Sequence, residues 1–126
     1  MQEFLFFKIE KAYVRLWFSE ILYIQAENKY VTIFTSQRSY LTLSSMNHIE
    51  KMLPSELFCR VHRSYIVSLG QICRFDNELV YVGDKKIPLA EQYKNVLKNS
   101  VIIVNGDNGH HQQSNGFQLW QKSVRE

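Results

Sequence analysis

The sequence predicts a mainly β domain with one or two short helices. Seven Tyr and eight Phe are many for 126 residues, and aromatic residues favour strands. Short segments of alternating polar and apolar residues also follow one another, with turn residues between them. At 45% hydrophobic and 21% charged, the composition is that of an ordinary soluble protein. The chain is too short for two ordinary domains.

The first part of the chain predicts four consecutive strands. We place them at residues 4–8, 12–17, 21–25 and 30–34. In the second strand Tyr13, Arg15 and Trp17 share one face, while apolar residues occupy the other. The third and fourth strands predict a hairpin, because Asn28 in their connector tolerates positive φ.

A fifth strand and a helix are predicted next. A turn at residues 36–39 leads into the strand at residues 40–43. Ser44 or Ser45 can cap the helix, apolar residues recur at helical spacing from Met46, and Pro54 ends it. We expect a packing helix with no chemistry of its own and a solvated His48.

The second half predicts a meander followed by a helix. Strands are expected at residues 72–75, 79–82 and 85–89, with a helix at 91–99. The apolar run 101–104 is a candidate edge strand. From Asn105 the composition turns polar, so we predict a domain at 1–104 and a flexible tail at 105–126.

The tail ends in a short amphipathic segment. Phe117, Leu119 and Trp120 stand among polar residues there and either dock on the domain or a partner or stay disordered. His110 and His111 have no third ligand at fixed spacing, so no metal site is expected.

Charge and cysteine content set limits on partners and compartment. The net charge of +3 and a pI near 8.9 allow an anionic partner without requiring one. Cys59 and Cys73 lack zinc-ligand spacing and lie in apolar segments. We expect them to be reduced core residues of a cytoplasmic protein, and a disulfide between them is the alternative. We expect no signal peptide and no membrane-spanning segment, because no basic start with a long apolar core and no apolar run of spanning length is seen in the sequence.

The stretch FCRVHRSYIV at positions 58–67 combines anion-binding and apolar residues. Its polar donors are Arg60, His62, Arg63 and Ser64. Burying unpaired charges is costly, so we expect these groups to reach from a rigid platform towards a polyanion. The alternative is a half-exposed strand with a basic outer face.

That stretch resembles the Phe-x-Arg-Val-His-Arg-Ser-Tyr-Ile-Val signature of the LytTR DNA-binding domain, found mostly in bacterial response regulators. Weaker similarities follow in the family's order. They are residues 21–26 with 30–31, Leu53-Pro54, and residues 87–89 followed by Tyr93. Together they cover about residues 4–98.

The resemblance implies an elongated, mainly β fold of small antiparallel sheets whose loops read successive major grooves of double-stranded DNA. By position, it implies base-reading roles for Lys29, Tyr30, Arg63 and Gln92. It implies phosphate contacts for Arg60, His62 and Ser64. Tyr65, Ile66 and Val67 are then the buried anchors of the loop.

The late loop departs from the family. Where Ser-Arg-Arg or Ser-Arg-Lys is common, this chain has Ala90-Glu91-Gln92, so cationic reach is lost and an acid is gained. Glu91 would repel a phosphate unless it points away or accepts from a cytosine.

The resemblance also implies partners. We expect bacterial transcription control, with two copies on direct repeats and a link to a receiver domain or sensor kinase. A receiver usually precedes this domain, whereas the first predicted strand here begins near Phe4. The chain is thus either a fragment of a longer regulator or a stand-alone form.

Two other classes of function are alternatives to DNA binding. A β-rich protein-interaction or single-stranded nucleic-acid module would use Tyr13, Trp17 and Tyr30 as stacking platforms. An enzyme would need a phosphate loop, a nucleophile elbow or a metal-ligand set, and the sequence has none. We therefore expect no catalysis and no cofactor.

Overall fold

The computed structural model describes residues 3–106, which form ten β-strands and two short α-helices. The elements are β1 Phe4–Ile9, β2 Ala12–Trp17, β3 Ile21–Glu27, β4 Tyr30–Thr35, β5 Ser39–Leu43, α1 Met46–Met52, β6 Phe58–His62, β7 Tyr65–Ser68, β8 Ile72–Phe75, β9 Leu79–Val82, β10 Lys85–Pro88 and α2 Lys94–Asn99. Single 3-10 turns cover Phe18–Glu20, Leu69–Gln71 and Glu91–Tyr93. The predicted mainly β class with short helices is confirmed.

The strands form three small antiparallel sheets. The hairpin sheet pairs β1 with β2, and the meander sheet has the order β10-β9-β8. Between them in the chain lies the central sheet of five strands, in the order β5-β4-β3-β7-β6. Since β7 pairs with β3, the chain segments that carry the two predicted reading turns become neighbours in one sheet.

Both faces of the central sheet are covered. Ile24, Ile33 and Ile66 belong to one apolar cluster with side chains of the hairpin sheet and α1. Tyr23 and Val67, which point to the opposite face of β3 and β7, belong to a second cluster with the meander sheet and α2. The sheet is therefore held from two sides, which makes it a rigid base for its loops.

The periodicity of β2 is confirmed. Tyr13 is 70% exposed and Trp17 38% exposed, whereas Leu16 between them on the other face is 2% exposed. The hairpin sheet thus packs on the domain through its apolar face and leaves the aromatic face in solvent.

The capping of α1 is also confirmed and assigned to Ser45. Its hydroxyl accepts from the His48 backbone N–H at 3.1 Å, and the helix ends before Leu53-Pro54. Met46 and Ile49 are buried, and His48 is exposed as expected.

The prediction that both cysteines are core residues is wrong for Cys73, which is exposed, whereas Cys59 is buried. The β8–β9 ladder shifts register between Ile72 and Arg74. Such an irregularity interrupts the alternation of inner and outer residues, so Cys73 and Arg74 both face solvent.

The last predicted elements differ as well. No strand forms at residues 101–104 within the described part of the chain, and Ile102 is 96% exposed. An apolar run becomes a strand only where another strand pairs with it. The helix predicted at 91–99 begins with the 3-10 turn Glu91–Tyr93 before α2. The amphipathic end of the tail and His110-His111 lie outside the described residues.

Candidate nucleic-acid interface

Two hairpin turns lie side by side at one end of the central sheet. The β3–β4 turn contains Asn28-Lys29, and the β6–β7 turn contains Arg63-Ser64. Pairing of Gln25 with Tyr65 brings these ends together, and the Ala26 backbone N–H donates to the Ser64 carbonyl at 2.9 Å. Residues 35 positions apart in the sequence thus share one surface.

A third connection lies beside β6. The Ala90 backbone N–H donates to the Val61 carbonyl at 2.9 Å, which ties the start of the 3-10 turn to the end of that strand. Gln92 is exposed on this turn. The central sheet therefore places all three predicted reading segments around its β3–β7–β6 end.

The first turn is shaped by Asn28, whose φ of 60° lies in the left-handed region that Asn tolerates. Lys29 is exposed, and its carbonyl accepts from the Ser44 backbone N–H at 3.3 Å, next to the cap of α1. Tyr30 is the first residue of β4 and is 41% exposed. Both predicted side chains are thus available to a partner.

Arg63 is exposed at the tip of the β6–β7 turn. No hydrogen bond or ion pair of its guanidinium is found among residues 3–106, so its donors are free. The anchors below it are buried at Ile66 and Val67 and half-buried at Tyr65. A fixed turn with a free guanidinium can present a planar pair of donors to an acceptor edge.

Arg60 is oriented inward. Its side chain is 10% exposed and forms an ion pair with Glu50 of α1 at 2.9 Å. It also donates to Asn47 Oδ1 at 2.6 Å, to the His62 carbonyl at 3.2 Å and to the Arg63 carbonyl at 2.6 Å. These contacts fill most of its donors, so the phosphate contact predicted for Arg60 has little geometric support.

His62 is fixed by its own turn. Its Nδ1 accepts from the Ser64 backbone N–H at 3.1 Å, and its ring meets the Tyr65 ring edge-on with centroids 5.7 Å apart. Burial, with Arg63 and Arg60 nearby, lowers the pKa of His62 below its usual value. The ring is therefore neutral at pH 7 and offers Nε2–H as a donor.

Glu91, in the 3-10 turn Glu91–Tyr93, is not an unpaired carboxylate. Its carboxylate pairs with Lys94 at 2.8 Å. Hydrogen bonding and attraction from Lys94 lower the pKa of Glu91. The pairing reduces the repulsion of a polyanion that the sequence alone suggested.

Sequence reasoning missed Asn47 and Glu50. The sequence predicts a packing helix without chemistry at these positions, yet both residues contact Arg60 of the signature. Their spacing of three places them on one face of α1, and a buried arginine requires acceptors. That combination was the available signal, although it did not reveal where α1 would pack.

Metal-ligand clusters and membrane-spanning helices are not seen in residues 3–106. That range has no three His, Cys, Asp or Glu side chains grouped as metal ligands, and no helix in it is long and apolar enough to cross a bilayer.

Comparisons with known proteins give a consistent result. The family model described as "LytTr DNA-binding domain" matches residues 11–101. The sensory transduction protein LytR of Staphylococcus epidermidis is 32% identical over 85 residues, covering 68% of this chain and 33% of that protein. The heme-containing CO-sensing transcriptional regulator RcoM 2 of Paraburkholderia xenovorans is 42% identical over 92 residues, covering 68% of this chain and 34% of that protein.

A solved LytTr DNA-binding domain from Bacillus cereus has the same fold. It superposes with a TM-score of 0.67 at 20% identity, over 79% of this chain and 97% of that one. The chain thus spans about a third of the curated relatives above and nearly the whole of the isolated domain. Since the family model covers most of the sequence and the fold agrees, the chain belongs to the LytTr DNA-binding domain family.

Proposed function

We propose that this protein binds double-stranded DNA with sequence specificity in transcriptional regulation, through the three connections at the β3–β7–β6 end of the central sheet. The observation that carries the proposal is the placement of the unpaired Arg63 guanidinium on a short turn beside the Lys29 turn. The core beneath both turns is packed on two sides.

The division of labour follows from side-chain chemistry. Arg63 is suited to a bidentate contact with guanine O6 and N7, and Gln92 to a similar contact with adenine. Lys29 and Tyr30 would read bases beside those that Arg63 contacts, because their turn adjoins the Ser64 carbonyl.

His62 and Ser64 would set affinity and register. A neutral His62 can donate from Nε2 to a phosphate oxygen, and the Ser64 hydroxyl can do the same. Such contacts carry no sequence information. Arg60 is left out of this set, because four of its five N–H donors are used within the domain.

Two copies on adjacent direct repeats would increase specificity. One small domain with a few base contacts discriminates poorly, whereas two linked contacts multiply the preference. The relatives are described as sensory transduction and transcriptional regulator proteins and are about three times as long as the matched region. We propose that a receiver domain or sensor kinase system supplies the signal.

The test is fluorescence anisotropy on a direct-repeat duplex selected from a random library, with a scrambled duplex for comparison, across a salt series. Arg63→Ala should lower the preference for the selected duplex by about 5- to 150-fold, the range of one lost bidentate contact. Arg38→Ala is the matched control, because Arg38 is also exposed but lies on the β4–β5 turn at the opposite end of the sheet.

The result would contradict the proposal if Arg63→Ala kept the wild-type preference, or if the wild type did not distinguish the duplexes at any salt concentration. Equal loss in Arg38→Ala would mean that positive charge in general, and not base reading, sets the preference.

One observation favours a second candidate function. On the outer face of the hairpin sheet Phe4 pairs with Trp17, Phe6 with Arg15, and Lys8 with Tyr13. Exposed aromatic rings beside cations can stack on unpaired bases or on a partner protein. Preference for the single strand of the selected sequence over its duplex would support this candidate.

A further inference from the structure

We propose that Arg60 is a positioning residue that joins α1 to the β6–β7 turn and so sets the direction in which Arg63 meets a base. The proposal rests on the proposed function of the turn. It replaces the phosphate contact suggested by the sequence with an internal structural role.

In the β6–β7 turn, Arg60 binds the backbone that carries Arg63. Its Nε donates to the His62 carbonyl at 3.2 Å and its Nη2 to the Arg63 carbonyl at 2.6 Å. The β6–β7 ladder shifts register between Arg60 and His62. At such an irregularity the ladder of backbone hydrogen bonds is locally disrupted. The Arg60 guanidinium then supplies donors to the His62 and Arg63 carbonyls.

On the helix side, Arg60 binds two residues on one face of α1. Its Nη1 donates to Asn47 Oδ1 at 2.6 Å and to Glu50 Oε1 at 2.9 Å. Glu50 remains 48% exposed, whereas the arginine side chain is 10% exposed. The charge is thus neutralised from the solvent side while the donors stay inside.

The donor inventory separates the two roles. A guanidinium has five N–H groups. Four of them have partners here, because each of the four hydrogen bonds above uses one. A phosphate could accept only from the fifth N–H group, on Nη2, and a two-pronged phosphate contact would have to break the pair with Glu50 or a bond to the turn. Arg63, by contrast, has no such side-chain partner within residues 3–106.

As a consequence, α1, the β6–β7 turn and Arg63 form one structural unit. The carbonyl of Arg63 is held by Arg60, so a change in α1 is transmitted to the backbone of the reading residue. Only an arginine can do this, because lysine has a single compact ammonium that cannot span two carbonyls and two helix side chains.

The experiment compares four variants on the selected and scrambled duplexes. Arg60→Lys keeps the positive charge and loses the planar set of guanidinium donors. Asn47→Ala combined with Glu50→Ala removes only the helix partners and leaves Arg60 with the carbonyls of His62 and Arg63 as acceptors. Glu56→Ala is the matched control, since this exposed glutamate has no contact with Arg60 among the described residues and its loss changes the charge equally. Arg60→Ala shows whether Arg60 contributes to the salt dependence of DNA binding.

We expect Arg60→Lys and the double variant to lose at least 5-fold in preference for the selected duplex, while Glu56→Ala keeps it. The slope of log Kd against log salt should be unchanged in Arg60→Ala, beyond the small effect of net charge. A phosphate contact would instead lower that slope by about 0.9. It would also make the double variant bind more tightly with its preference intact, and that result would overturn the proposal.

A measurement without DNA separates this inference from the proposed function. In the free protein the Arg60 Nε–H should exchange slowly with solvent, and exchange should accelerate in the double variant. Fast exchange in the wild type would refute the positioning role even if DNA is bound. Slow exchange in a protein that ignores every duplex would keep the role in shaping the turn and reject the DNA-binding proposal alone. Thermal unfolding confirms that each variant is folded.

Discussion

At the scale of single residues, the signature separates into side chains that face solvent and side chains that shape the turn. Arg63 and Arg60 are three positions apart, yet one guanidinium is exposed and the other has four internal partners. His62 belongs to the shaping group, because its Nδ1 accepts a backbone N–H. The two arginines therefore have different roles although they are only three positions apart.

His62 predicts a pH dependence of stability. Its pKa is below the ordinary value of 6.5 in the folded protein, so the fold favours the neutral ring. The corresponding stabilisation is complete above about pH 6.5 and is lost as the pH falls through the folded pKa, since the unfolded chain binds the proton more readily. Protonation also removes the acceptor for the Ser64 N–H.

Urea unfolding between pH 5 and 8 checks this. For the wild type we expect stability to rise with pH up to about pH 6.5 and then to level off, and for His62→Gln we expect a smaller rise. His48→Gln, at an exposed position on α1, is the control and should follow the wild type. The lowered pKa values of Asp76 and Glu91 act at lower pH, because their ordinary values are 3.8 and 4.5. A wild-type slope retained in His62→Gln would contradict the assignment.

At the scale of elements, the short helix α1 has more than a packing role. Its inner face buries Met46 and Ile49, and its outer face supplies Asn47 and Glu50 to Arg60. A helix of seven residues is not stable alone, so its cap and its packing must hold it in place.

The cap of α1 gives an element-scale prediction. Ser45→Ala removes the acceptor of the His48 N–H and should reduce the free energy of unfolding by about 0.5–2 kcal/mol. Chemical denaturation measures this. Ser44→Ala is the matched control, because Ser44 caps no helix N–H in the described contacts, and its effect should be smaller. Equal losses in both variants would contradict the assignment of the cap to Ser45.

At the scale of the whole molecule, the central sheet is the support of the interface. Its two faces belong to different apolar clusters, so the hairpin sheet, α1, the meander sheet and α2 all depend on it. The loops at its end gain rigidity from both clusters without belonging to either. Damage to one cluster should therefore lower the stability of the whole domain.

Ile66 tests this dependence. It is 1% exposed and lies on β7 directly below the reading turn. Ile66→Ala should cost about 2–5 kcal/mol of unfolding free energy, the usual range for a buried isoleucine. Ile102→Ala is the control, because Ile102 is 96% exposed, and its effect should stay within about 0.5 kcal/mol. A loss at Ile66 no larger than at Ile102 would mean that the cluster is not a packed core.

Much of the fold was accessible from the sequence because it depends on local pattern. Alternation located β2 and its exposed face, capping and apolar spacing located α1, and a ten-residue signature identified the family. These signals involve neighbours along the chain, where periodicity and propensity are decisive. The residues expected to meet a partner, Lys29 and Arg63 among them, followed from position in that signature.

Tertiary structure alone decided which of those residues are free. Whether Arg60 points outward depends on acceptors 10 and 13 positions earlier, on a helix whose packing against β6 no local pattern specifies. The register irregularity that exposes Cys73 and the lack of a strand at residues 101–104 likewise depend on pairing with other strands. Sequence determined the elements and the family, whereas packing between elements assigned each polar side chain to the interior or to the surface, because burial and hydrogen-bond partners are properties of the assembled fold.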